Sequence, residues 1–225
     1  MRHRTGRAYG LFTAVALAVA AAALCSAPAA AQQRQATTGP ATRPASTIGG
    51  TVTAPGDVPL SEMVVYLESP DPSRPMPAPA AAAKVSQKGA KFDPPLVIVT
   101  VGQTVDFPND EDRPIEHNVF SNSQAKRFDL GLYPPGQSKS IVFDQPGAVF
   151  LYCSIHRYMD GVIFVSPTPY TDRPKDDGSY IIENVPPGEW VVKTWQRRRR
   201  FPELTVPKRV DAGRNVTVDL ELKRR

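Results

Sequence analysis

From residue 47 onwards the chain is built of short runs of β-branched and aromatic residues punctuated by Pro, Gly, Asn and Asp. IGGTVTA (48–54) alternates apolar and polar positions, PGDVPL supplies a turn, and EMVVYLE (62–68) has strand composition with no helical period. LVIVTV (96–101), TVDFPN (104–109), HNVFSN (117–122), RFDLGLY (127–133) and KSIVFD (139–144) follow, separated by turns at Gly102-Gln103, PPGQ (134–137) and QPGA (145–148). Later come GSYIIENV (178–185), EWVVKTW (189–195), LTVPKRV (204–210) and NVTVDLEL (215–222). No segment of two helical turns carries an amphipathic stripe. Turn signals roughly every 8–12 residues predict an all-β fold of sandwich type. SPDPSRPMPAPAAAA (69–83), with five prolines, reads as a linker or exposed loop, and its Met76 as an exposed methionine without a role.

The N-terminus breaks the pattern. Arg2, Arg4 and Arg7 precede an apolar run, Leu11 to Leu24, and small residues at 27–31. That order predicts a secretory signal over residues 1–31, with cleavage near Ala31 and a periplasmic or otherwise exported product. The run is short for a membrane span, so no transmembrane segment is expected in the mature chain. Acylation at Cys25 fits poorly, because Leu24 stands where a small residue is expected, and no Arg-Arg pair marks the twin-arginine route. Residues 32–46 are Ala, Thr, Gln and Pro rich without period and read as a disordered tether.

Removing the leader removes three Arg and no acid, so the formal charge falls from +5 to +2. It leaves one cysteine, Cys153, and two histidines, His117 and His156. A lone thiol in an oxidising compartment is a liability unless something occupies it, and a metal would. The charge is split along the chain, with 9 basic and 13 acidic residues over 46–166 against 13 and 9 over 167–225. With export, that polarity argues against nucleic acid as a partner.

All the histidine and cysteine of the mature chain fall in two pieces, EHNVF (116–120) and VFLYCSIHRYMDGVIFV (149–165). Cys153, His156 and Met159 share one short loop between two apolar strands, and His117 lies 36 residues before Cys153. Imidazole suits copper(II), thiolate and thioether suit copper(I), and two His, one Cys and a weak Met form the set of a blue-copper electron-transfer site. Zinc structural sites favour more thiolates and no thioether. Singly, Met159 reads as a core methionine, His156 as a loop residue and Cys153 as a buried small hydrophobe. Their conjunction predicts a metal centre, with Phe150, Leu151, Val162, Ile163 and Phe164 keeping water from it. A multicopper enzyme needs further histidines, and no Ser/His/Asp arrangement is available, so the chain reads as a non-enzyme.

The segment 84–166 resembles the cupredoxin family, on the strength of YCSIHRYMDGVIFV and EHNVF. Its Cys-x2-His-x2-Met loop is similar to that of the amicyanins, whereas plastocyanins and pseudoazurins carry two more residues before the Met. The resemblance implies a Greek-key β-sandwich holding one type 1 copper by His117, Cys153, His156 and Met159. It implies that Asn118 steadies the ligand loops by hydrogen bonding and that His156 is the electron-exit edge, with Arg157 and Tyr158 beside it for docking of redox partner proteins. Arg157 stands where the amicyanin-like pattern commonly has Pro; a cation there favours Cu(I) and acidic partners.

DDGSYIIENVPPGEWVVKTW (176–195) resembles the carboxypeptidase regulatory-like (transthyretin-like) β-sandwich, and IGGTVTAPGDVPLSEMVVYLE (48–68) resembles its opening strand pair. This implies one discontinuous domain of residues 47–69 and 168–223, joined through the 70–83 linker to the inserted copper segment. The alternative is that the N-terminal strands extend the copper sandwich. Arg197, Arg198, Arg199 and Arg200 read either as a solvated run or as a weak contact for an anionic surface. Three functions compete: electron carriage, copper storage or delivery, and a non-redox binding module. Carriage calls for buried, rigid ligands, delivery for exposed, exchangeable ones.

Overall fold

The computed structural model describes residues 46–224 apart from 57, 75 and 78. The expected leader (1–31), its cleavage site and residues 32–45 of the expected tether lie outside them. Ser46, placed in the tether by composition, instead opens the first strand: it is fully buried, and its hydroxyl donates to Asp211 O and accepts from Arg214 N.

The described chain is all-β, with a single 3-10 turn at Leu60–Glu62, and among the described residues no helix is long and apolar enough to cross a membrane. Its long strands fall into four sheets. The first has Ser46–Thr53 at its centre, antiparallel to Ser179–Val185 and parallel to Asn215–Thr217 and Leu220–Glu221. The second runs Thr171–Asp172, Met63–Glu68, Gly188–Gln196, Thr205–Val210. The third runs Leu96–Thr100, Asp160–Ser166, Gly147–Tyr152, Phe120–Ser123, Lys126–Asp129, with Leu96–Thr100 and Asp160–Ser166 parallel. The fourth runs Ser138–Phe143, Gln103–Pro108, Ala83–Lys84.

Three apolar layers separate these sheets, and strand alternation explains how. Side chains two apart share a face. In Met63–Glu68, Met63, Val65 and Leu67 join Ile48, Ile182, Trp190 and Leu220 in a core drawn wholly from residues before 77 and after 169. Val64 and Tyr66, on the other face, meet Leu96, Val162, Phe164 and Trp195. In Asp160–Ser166, Val162 and Phe164 serve that middle layer, while Ile163 and Val165 join Phe107, Tyr133, Phe143, Val149 and Leu151 in the third. Both strands are therefore buried on both faces, which is why EMVVYLE and GVIFV read as near-continuous apolar runs. The middle layer is aromatic, with Phe164 4.9 Å from Trp195 and 5.1 Å from Tyr66 between ring centroids.

Two predicted strands are shorter than their patterns. RFDLGLY forms a strand only over Lys126–Asp129, and its Tyr133 instead makes an isolated bridge to His117. NVTVDLEL splits into Asn215–Thr217 and Leu220–Glu221 as it crosses Gly50, where a Cβ would lie 2.2 Å from Val218 O. Only glycine permits that approach. In the linker region, Met76 packs on the first apolar layer and the Arg74 guanidinium sits 3.9 Å over Trp190, so this Pro-rich stretch is docked in part on the body.

Candidate metal centre

The third sheet delivers the loop. Gly147–Tyr152 and Asp160–Ser166 are antiparallel neighbours, paired to Tyr152↔Asp160, so the seven residues between them project from one end of the sandwich. Met159 N donates to His156 O (2.9 Å), tightening the loop into a turn. Alternation then places Met159 on the same side as Gly161, Ile163 and Val165: it is 1 % exposed and belongs to the same apolar layer as Cys153. His117 comes from outside the named strands, held by reciprocal backbone bonds with Tyr133 (3.3 and 2.9 Å).

These elements bring together three of the four ligands expected from the sequence, while Met159 shares the apolar layer of Cys153. Cys153 Sγ lies 3.8 Å from His117 Nδ1 and 3.9 Å from His156 Nδ1, and the three ligand atoms fall within 4.8 Å of one another. Atoms about 2.0–2.3 Å from a shared ion stand roughly 3.5–4 Å apart, which the two Sγ–Nδ1 pairs match, and a small approach of the two imidazoles would close the set on a soft transition metal. His117 is fully buried, Cys153 is 4 % exposed, and His156 is partly exposed, which leaves its ring edge as the part of the set nearest solvent. The rings of His117 and His156 lie 4.8 Å apart between centroids.

The surroundings orient the set. Asn118 Oδ1 accepts from Ser154 N (2.8 Å) and Ser154 Oγ (2.9 Å), and its Nδ2 donates to Asp129 (3.1 Å), tying the His117 segment to the residue after Cys153. Less legible in the sequence was Glu111. Its Oε1 lies 2.9 Å from His117 Nε2 and accepts Ala90 N–H at 2.7 Å, and its side chain is 4 % exposed. Burial pushes this carboxyl up, but the bonds from Ala90, His117 and Gly89 outweigh that and hold it below the ordinary glutamate range. An ionised Glu111 can only accept, so Nε2 is the nitrogen that donates to it and Nδ1 is the one turned to Cys153 Sγ. Glu111 occurs among four acids in DEDRPIE, and the tertiary contacts distinguish them. Asp110 pairs with Lys84 and Asp112 with Lys88, whereas Asn109, bonded to Ile115 O and Tyr133 O at 3.0 Å, folds the loop so that Glu111 turns inward.

Ile155 and Tyr158 are 51 % and 69 % exposed on either side of His156, and Arg157 between them is exposed too. Of the arginine run, Arg197 pairs with Asp160 and Glu62, and Arg198 with Glu62 (3.3 Å). These two are engaged rather than merely solvated.

Neither a family model nor a curated protein matches this chain. Solved structures similar in part are cupredoxins. A purple cupredoxin from Nitrosopumilus maritimus is 25 % identical, covering 37 % of this chain and 99 % of its own, at a TM-score of 0.34. An amicyanin variant in its reduced state is 22 % identical, with 45 % and 99 % coverage and a TM-score of 0.34. A copper-containing nitrite reductase from Thermus scotoductus SA-01 is 24 % identical over 51 % of this chain, which spans 28 % of that enzyme, at a TM-score of 0.36. At such TM-scores these likenesses decide nothing about the site, whose geometry stands on its own.

Proposed function

We propose that this chain is an exported one-electron carrier whose His117, Cys153, His156 and Met159 hold a single copper ion of type 1. The observation that carries the reading is the convergence of one thiol and two imidazole Nδ1 atoms within 4.8 Å, two of the three side chains being almost wholly buried. Copper, when bound, would supply a Cu(I)/Cu(II) couple suited by this mixed soft and borderline donor set. The chain's own residues do the rest. Glu111 fixes the His117 tautomer, and Asn118 holds the two ligand segments in register. Phe107, Val119, Leu151 and Ile163, which share an apolar layer with Cys153 and Met159, keep water from the inner side and limit rearrangement between oxidation states. Phe150, Val162 and Phe164, expected in that role, instead serve the layer against the second sheet. His156 offers its partly exposed edge to a partner, with Ile155 and Tyr158 as apolar contacts and Arg157 favouring acidic partners.

Buried ligands favour carriage over storage or delivery, which calls for exchangeable ones. On this reading the chain is not an enzyme, since both histidines of the region after residue 31 are committed to one mononuclear site. The strands of the first two sheets would form a regulatory-like sandwich split in sequence by the copper segment; their shared apolar core supports this. The test is a visible spectrum of the purified protein with one equivalent of Cu(II). An intense band near the red end that bleaches with ascorbate and is lost in Cys153→Ser is expected. A colourless protein that binds copper weakly would refute carriage and favour delivery.

A further inference from the structure

The residue after Met159 points the other way. Strand alternation sends Met159, Gly161, Ile163 and Val165 toward the metal side, where Gly161 abuts the Phe92 ring. It sends Asp160, Val162 and Phe164 toward the second sheet. Val162 and Phe164 bury themselves there against Val64 and Trp195; Asp160, at the strand's open end, meets the Arg197 guanidinium. Arg197 is itself well anchored. Its backbone N–H donates to Glu62 O (3.2 Å), its side chain is 17 % exposed, and Glu62 lies 3.8 Å away on its other side.

We infer that Arg197 is a positioning residue for the metal-ligand loop: from the turn that follows the Gly188–Gln196 strand it holds Asp160, and through Asp160 the arm of the loop that carries Met159. The inference deepens the copper reading and rests on it for its consequence, though not for its geometry. The chain at Asp160 is pinned on both faces, inward by Met159 and outward by Arg197, so the loop cannot lift from its C-terminal arm without breaking the pair. The rest of Asp160–Ser166 needs no such device, because Val162 and Phe164 are locked in the aromatic layer. An ion pair with one exposed partner contributes little to global stability. Its effect belongs to local opening of the loop, where a small free energy changes the open population severalfold.

The experiment measures amide exchange in the metal-free protein at Met159, whose N–H is bonded to His156 O, and in parallel the reduction potential of the copper-loaded protein. Arg197→Gln and Asp160→Asn are each expected to speed Met159 exchange about three- to fivefold, in line with a weak pair. The double variant should be no faster than either single one, Arg197→Lys should recover part of the protection, and amides of Ile163 and Val165 should be unchanged. Because a loosened loop is the common cause, both single variants should shift the potential in the same direction. Simple loss of charge would instead shift it in opposite directions, down for the lost cation and up for the lost anion. Unchanged Met159 exchange, equal acceleration along the whole strand, or potentials moving in opposite directions would each overturn the inference. The exchange result stands whether or not copper binds, so failure of the copper reading is told apart from failure of this one.

Discussion

Removing the Glu111 carboxylate should cost stability and metal affinity together, and by amounts the structure lets one work out. In Glu111→Ala two buried donors, His117 Nε2–H and Ala90 N–H, lose their acceptor. A buried unsatisfied donor costs about 1–3 kcal/mol, so the expected loss is roughly 2–6 kcal/mol in the metal-free protein, less whatever water entering the vacated space recovers. Glu111→Gln is the finer test. Its carbonyl can still accept from both groups, but the charge assistance is lost and the new NH2 faces the Gly89 N–H that the carboxylate accepted. Charge-assisted bonds are worth about 1.5–3 kcal/mol against about 1 for neutral ones, so with two such bonds a loss of roughly 1–4 kcal/mol is expected. His117 would also be freer to change tautomer and turn Nδ1 away from Cys153. Losses of about 10–100-fold in metal affinity are typical when such a partner is removed. Urea unfolding of the metal-free variants, with the slope unchanged, reads the first quantity, and competition with a chelator of known affinity reads the second. If Glu111→Gln matched the parent in both, the carboxylate would be a bystander and the orientation argument wrong.

Three further outcomes are expected. Arg157→Glu should lower the reduction potential and slow transfer to an acidic partner at low salt, the two rates converging near 1 M salt, where the screening length is about 3 Å; stopped-flow kinetics and voltammetry would show it. Asn118→Asp should destabilise about as much as Asn118→Ala, roughly 1–3 kcal/mol by urea unfolding, because it keeps the acceptor for Ser154 but sets a carboxylate 3.1 Å from Asp129. Burial pushes the Tyr133 phenol up to about 12; the bond from Gln87 works against this and the nearby Cys153 adds to it. Its folded value lies above its unfolded one of 10.0, so the stability it lends is complete below pH 10.0 and is lost as the pH climbs toward about 12. Tyr133→Phe should be less stable than the parent at neutral pH, lacking the bond to Phe107 O, and should close that gap in alkaline unfolding series.

What the sequence alone determined follows from its local character. Period-two alternation and Pro/Gly turns made the chain all-β, because the pleat forces successive side chains to opposite faces whatever lies beyond. The ligand loop was equally local: three donors within seven residues between two apolar strands, with a second histidine segment for them to meet. What only the tertiary structure decided was which faces meet. EMVVYLE and GVIFV were legible as apolar strands, but not that both are buried on two faces, with Val64, Tyr66, Phe164 and Trp195 forming a layer between two sheets. One acid among four became the His117 partner because Asn109 folds that loop inward, a bond to Tyr133 across 24 residues that no spacing rule reports. The arginine run had a solvated reading until the fold set Asp160, one position past Met159, against Arg197. Alternation within a strand is set by neighbours along the chain. The partner of each face is set by closure of distant segments, where the free energy of burial is gained and where sequence order carries no distance information.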